Sequence, residues 1–145
     1  MADTGSTIAL ATVPGRTDTA LQITYNLGED GWVVLYQPAS SYNRGDLSKM
    51  VGFTFYYQGS GNANTLELKF EDADGTNFGR LWQGQSAAAD WTRIEMQLTE
   101  LTYLWGDDPN MDWDQVHSIT FAVSKKEGDM GGAGTVEIAD IALIP

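Results

Sequence analysis

At 145 residues the chain is long enough to bury a core without covalent staples, and the absence of cysteine excludes disulfides, a thiol nucleophile and a cysteine-based zinc site. Twenty acidic against eight basic residues give a formal net charge of -12, a field that repels phosphate backbones and anionic lipid and favours neutral or cationic partners. Neither nucleic acid nor a membrane is therefore an expected partner. No stretch has the apolar length of a membrane span, and Met1-Ala2-Asp3-Thr4 lacks the basic and apolar regions of a signal peptide. An excised extracellular domain with an added start methionine has this form, and so has a cytosolic protein.

Along the chain the dominant signal is apolar residues at every second position, in short blocks separated by Gly, Asn and Asp, which is the pattern of half-buried strands. Eight strands are predicted: around Leu21–Tyr25, Val33–Tyr36, Phe53–Tyr57, Leu66–Phe70, Phe78–Gln83, Ile94–Leu98, Ile119–Val123 and Val136–Ile138. The breaks Gly59-Ser60-Gly61-Asn62 and Asp72-Ala73-Asp74-Gly75 carry residues that tolerate positive φ or bond their own backbone, so both are expected to be hairpins. Asp46–Met50 and Thr99–Leu104 read as single helical turns, and Gly106–Asn110 as an exposed loop. No repeat or linker interrupts the pattern. The expectation is one domain over residues 1–145, an all-β, two-sheet antiparallel jelly-roll sandwich.

In a jelly roll, successive strands mostly cross between sheets, which places Gly31–Tyr36, Asn64–Glu71, Phe78–Gln83 and His117–Ser124 together. Side chains alternate across a sheet, so with Leu66, Leu68 and Phe70 in the core, Glu67, Lys69 and Glu71 face out, as does Thr120. The charge on Arg80 argues for Arg80 and Trp82 outward and Leu81 inward. Trp32, Val34 and Tyr36 share the outer face if Val33 and Leu35 are core. The candidate ligand face is therefore Trp82, Tyr36, Arg80, Glu67, Lys69, Trp32 and Thr120. Flat rings take the C–H face of a sugar, and carboxylate, guanidinium and ammonium bond its hydroxyls. A reversed parity would instead bury Trp82, and Glu67 and Lys69 alone would be an ordinary solvated cross-strand pair. Tyr103 and Trp105 are expected to cap the end of the sandwich, and Trp91 and Trp113 to pack.

The stretch from Asp46 to Gly61, a short acidic-serine turn followed by the aromatic strand Phe53-Thr54-Phe55-Tyr56-Tyr57 and a glycine turn, resembles the family 11 carbohydrate-binding modules and their galactose-binding-like relatives. Asn64–Gly75, Met111–Phe121 and the ending Gly134–Leu143 are similar to later strands of that group, so the likeness covers most of the chain after about Ala20. The resemblance implies non-catalytic binding of a β-glucan or related plant polysaccharide on the concave sheet. It also implies, often, a fused glycoside hydrolase beside the module; an extracellular setting and a monomer are expected. One structural calcium ion at Asp140 in the closing strand is implied as well, although Ala139 and Ala142 replace the more polar neighbours usual there. On its own residues, Asp140 equally suits a hydrogen-bond acceptor at a bulge.

Catalysis is not expected. His117 is the only histidine, so any Ser-His-Asp triad must use it, and no strand carries the Glu-x-Asp-x-x-Glu pattern of jelly-roll endoglucanases. Glu67, Glu71 and Glu95 offer carboxylates, but Glu67 and Glu95 fall on different sheets. The other alternative is a protein-binding or assembly domain, which would show a contiguous apolar patch in place of separated rings and charges.

Overall fold

The structure, a computed structural model, describes all 145 residues. Ten strands form it: β1 (Thr7–Pro14), β2 (Thr19–Leu27), β3 (Trp32–Pro38), β4 (Gly52–Gly61), β5 (Thr65–Asp72), β6 (Asn77–Trp82), β7 (Thr92–Gln97), β8 (Thr102–Trp105), β9 (Val116–Ser124) and β10 (Gly132–Ile144). They make two antiparallel five-stranded sheets, ordered β1-β2-β10-β4-β7 and β3-β9-β5-β6-β8. All eight predicted strands are present, and the four assigned to one sheet do share it. The fold is the jelly-roll sandwich.

The period-two residues explain why the sheets close on each other. From one sheet Phe53 and Phe55 point inward, from the other Phe70 and Phe121, and all four are fully buried. Their rings meet edge to face, with centroids 5.3 Å apart for Phe53 and Phe70 and 5.0 Å for Phe55 and Phe121. Burial of each such side chain is worth about 1.5–3 kcal/mol, so this aromatic seam is a principal tie between the layers. Trp113 closes one end against Phe70, at 5.7 Å between ring centroids.

Three local expectations are corrected. Gly59–Asn62 is not a hairpin, because β4 and β5 lie in different sheets and the segment crosses between them. Gly59 is required by close approach: a Cβ there would lie 1.8 Å from the Ser86 carbonyl oxygen of the loop passing over it. Asp46–Met50 forms no helix; the Asp46 carboxylate instead accepts the Ser48 amide at 3.0 Å in a local turn. Thr99–Leu104 divides into a 3-10 turn at Leu98–Glu100 and the strand β8. The other hairpin, Asp72–Gly75 between β5 and β6, is found where expected.

That hairpin is organised by Asp72, which is 1% exposed. One of its carboxylate oxygens accepts the backbone N–H of Asp74 and Thr76 at 3.2 and 3.0 Å, and the other accepts that of Asp112 at 2.8 Å. Burial pushes the pKa of Asp72 up, but these amides outweigh it and hold the group below the usual carboxylate range. A depressed folded pKa means that the stabilisation is present above the unfolded carboxylate pKa and is lost as pH falls through the folded one. Asp72→Ala, which strands the Asp74 and Asp112 amides and leaves Thr76 N–H only the Asp74 carboxylate at 3.2 Å, is expected to cost about 2–4 kcal/mol at pH 7, read as a lower urea midpoint. The deficit relative to wild type should shrink under acid, and a constant deficit down to pH 2 would contradict the ionic assignment.

Candidate carbohydrate-binding face

The outer face of the β3-β9-β5-β6-β8 sheet is built in rows by strand register. Tyr36 on β3 lies beside Thr120 on β9, which lies beside Lys69 on β5 and then Gly79 on β6. The next row runs Val34, Ala122, Glu67, Leu81, and the one beyond it Trp32, Ser124, Thr65. Tyr36, Glu67, Lys69, Trp32 and Thr120 therefore stand on one face, as the alternation predicts. Their arrangement follows from Leu66, Leu68 and Phe70 being wholly buried on the other side of β5.

Trp82 and Arg80 are corrected. Trp82 pairs with Leu66 and Arg80 with Leu68, so both share the parity of core residues. Trp82 is buried, 7% exposed, with its ring 5.8 Å from Phe55 in an edge-to-face contact. Leu81 is the residue that faces out, 40% exposed. The inference from charge fails here for a physical reason: β8 pairs only with Asn77–Gly79, so at Arg80 the strand has reached the rim of the sheet. A long side chain on the core parity there escapes past the edge. Its guanidinium lies 3.9 Å from Glu100 and 5.5 Å over the Trp82 ring.

The place expected of Trp82 is filled by Trp105, which is half-exposed at the end of β8 rather than a cap of the sandwich. The Lys69 ammonium sits 5.4 Å over its ring. The signal that could have found it is the run Thr102-Tyr103-Leu104-Trp105, with three β-favouring residues out of four, hidden behind the Leu98-Thr99-Glu100 turn. A bulge between Asn77 and Phe78 in the β6–β8 register locally breaks the alternation, so parity alone does not give its facing.

Trp32 and Trp105 line a single groove of about 370 Å³ with Glu67, Lys69 and Ser124 between them. Glu67 is only 7% exposed although it is on the outer face, and its one charged partner is Lys126 at 3.9 Å. No hydrogen bond satisfies the Ser124 hydroxyl. The groove thus offers two apolar rings with a weakly paired carboxylate and an unpartnered hydroxyl at its floor, a combination suited to a ligand with flat C–H faces and many hydroxyls.

A model of the family 11 carbohydrate-binding domain matches residues 1–130. The chain belongs to carbohydrate-binding family 11. It is accordingly a non-catalytic carbohydrate-binding module. The family 11 module of Clostridium thermocellum, in complex with a β-1,3-1,4-mixed-linked tetrasaccharide, superposes with a TM-score of 0.81 at 18% identity, over 99% of this chain and 86% of that one. The family 30 module of the C. thermocellum cellulosomal cellulase CEL9D-CEL44B is similar at TM-score 0.68 and 18% identity, over 97% and 83%. An exo-β-agarase contains the same fold in 22% of its length, covering 97% of this module, at TM-score 0.57 and 16% identity. None of the curated proteins matches this sequence.

The Asp140 carboxylate is held by donors of the protein itself. Asp140 sits at the bulge between Ala139 and Ala142 with a φ of 53°. Its oxygens accept Arg16 Nε at 3.2 Å and Thr17 Oγ1 at 2.9 Å, while the Arg16 guanidinium stacks on Tyr56 at 3.8 Å. The carboxylate therefore serves as a hydrogen-bond acceptor at the bulge, paired with the partly exposed Arg16 guanidinium.

Proposed function

We propose that this module binds a chain polysaccharide of the β-glucan class across the β3-β9-β5-β6-β8 sheet, with Trp32, Tyr36 and Trp105 stacking on sugar rings and Glu67 and Lys69 bonding their hydroxyls. One observation carries the reading: exposed rings stand at both edges of the sheet, on β3 and β8, with a buried, weakly paired carboxylate between them. Four strand spacings separate those edges, about 19 Å, which is a span for several linked sugars rather than one. The tetrasaccharide held by the C. thermocellum family 11 module agrees in class and length. An extracellular setting beside a glycoside hydrolase follows the same reading, and the agarase that carries this fold within a larger chain supports it. Native affinity electrophoresis through gels containing barley β-glucan, xyloglucan, xylan or glucomannan tests the proposal. Retardation by the β-glucan gel is expected. Migration unchanged in every gel would overturn it.

A further inference from the structure

Three of the four lysines of the chain, Lys69, Lys125 and Lys126, line the groove between Trp32 and Trp105. In a protein with 20 acidic side chains this concentration is unusual, and the ion pairs do not absorb it. Lys126 approaches Glu67 at 3.9 Å, but Lys69 and Lys125 are in no ion pair, and the only other acidic lining residue is Asp30. The adjacent Ser124 hydroxyl is buried without a partner on the same face. Lys69, Lys125 and Ser124 therefore present donors with no acceptor in the protein to receive them.

A neutral glycan satisfies donors and acceptors in roughly equal number, because each hydroxyl is both. A donor-rich floor with two unpaired ammoniums is better matched by a group that only accepts. We propose that the groove prefers a glycan bearing a pendant anion, a uronic carboxylate or a sulfate ester, seated between Lys69 and Lys125 above Ser124. This rests on the carbohydrate-binding reading and specifies its substrate class. The net charge of -12 opposes such a ligand only at long range: at physiological salt the Debye length is about 8 Å, so the lining residues set the local field.

Isothermal titration with barley β-glucan and with its carboxymethylated and sulfated derivatives separates the possibilities. The anionic derivatives should bind about fivefold tighter than the neutral polymer at low ionic strength, the gain expected of one or two solvent-accessible charge pairs. The preference should vanish at about 0.5 M salt, where the screening length is only a few ångströms. Lys125→Gln should bring the ratio of anionic to neutral affinity towards one, with the near-ultraviolet circular dichroism of wild type. Preference for the carboxymethyl over the sulfated polymer, or the reverse, identifies which anion is held. Equal binding of all three polymers overturns this inference and leaves the carbohydrate-binding reading intact. A preference that survives salt or Lys125→Gln overturns the assignment to these lysines, and no binding to any polymer overturns both readings.

Discussion

Replacing Trp82 by alanine is expected to lower the unfolding free energy by about 3–5 kcal/mol, the range for removing a large aromatic side chain from a packed core. The indole is 7% exposed, opposes Leu66 across the strand pair and meets Phe55 edge to face. Phe55 is itself held against Phe121 at 5.0 Å, so the aromatic seam cannot collapse into the void without losing its own contacts. The exposed Arg80 guanidinium over the ring adds less than the packing does. At about 3 °C per kcal/mol for a domain of this size, the melting temperature should fall by roughly 9–15 °C. Affinity for polysaccharide, measured well below the new melting point, should change little. An unaltered melt combined with lost binding would place Trp82 on the ligand face after all.

Trp105→Ala should do the opposite. The ring is half-exposed, so its removal opens no cavity and should shift stability by no more than about 0.5 kcal/mol, as for surface positions generally. Affinity for the glycan should fall roughly 10- to 100-fold, because a stacked aromatic anchor at the groove carries a disproportionate share of binding energy. Lys69 loses the ring beneath its ammonium in the same variant, so part of the loss comes from a less ordered donor. Titration calorimetry against mixed-linked glucan reads both affinity and enthalpy. Affinity within twofold of wild type would remove Trp105 from the site.

These two tryptophans show what the sequence makes legible. Alternation along Leu66-Glu67-Leu68-Lys69-Phe70 is uninterrupted and fixes the facing of the central strand, hence of Glu67 and Lys69. The same holds for Val33 and Leu35 against Trp32 and Tyr36. In β6 the rule is underdetermined: Phe78, Arg80 and Trp82 share one parity, and only the neighbouring strand reveals that Arg80 lies at a rim where a charge costs little. The strand that reveals it, β8, has four residues and begins one residue after a 3-10 turn, which leaves too short a stretch for a period to show. β1 is also absent from the eight predicted strands, because Ala9, Ala11 and Thr12 interleave with Ile8, Leu10 and Val13 and blur the apolar contrast. Leu10 remains 52% exposed, which fits a strand shaped by pairing to β2 more than by burial. The Arg16–Asp140 pair links positions 124 residues apart and leaves no local pattern to read.

In the proposed mode of binding, the ligand lies on the β3-β9-β5-β6-β8 face against Trp32 and Trp105. The five tryptophans of the chain give five indole N–H signals, and these make the most direct test. In a ¹⁵N-resolved titration with a β-1,3-1,4-linked tetrasaccharide, the Trp32 and Trp105 indole signals should move in proportion to saturation, while those of Trp82, Trp91 and Trp113 stay fixed. Movement confined to Trp82 or Trp113, with Trp32 and Trp105 unchanged, would put the sugar elsewhere on the sandwich.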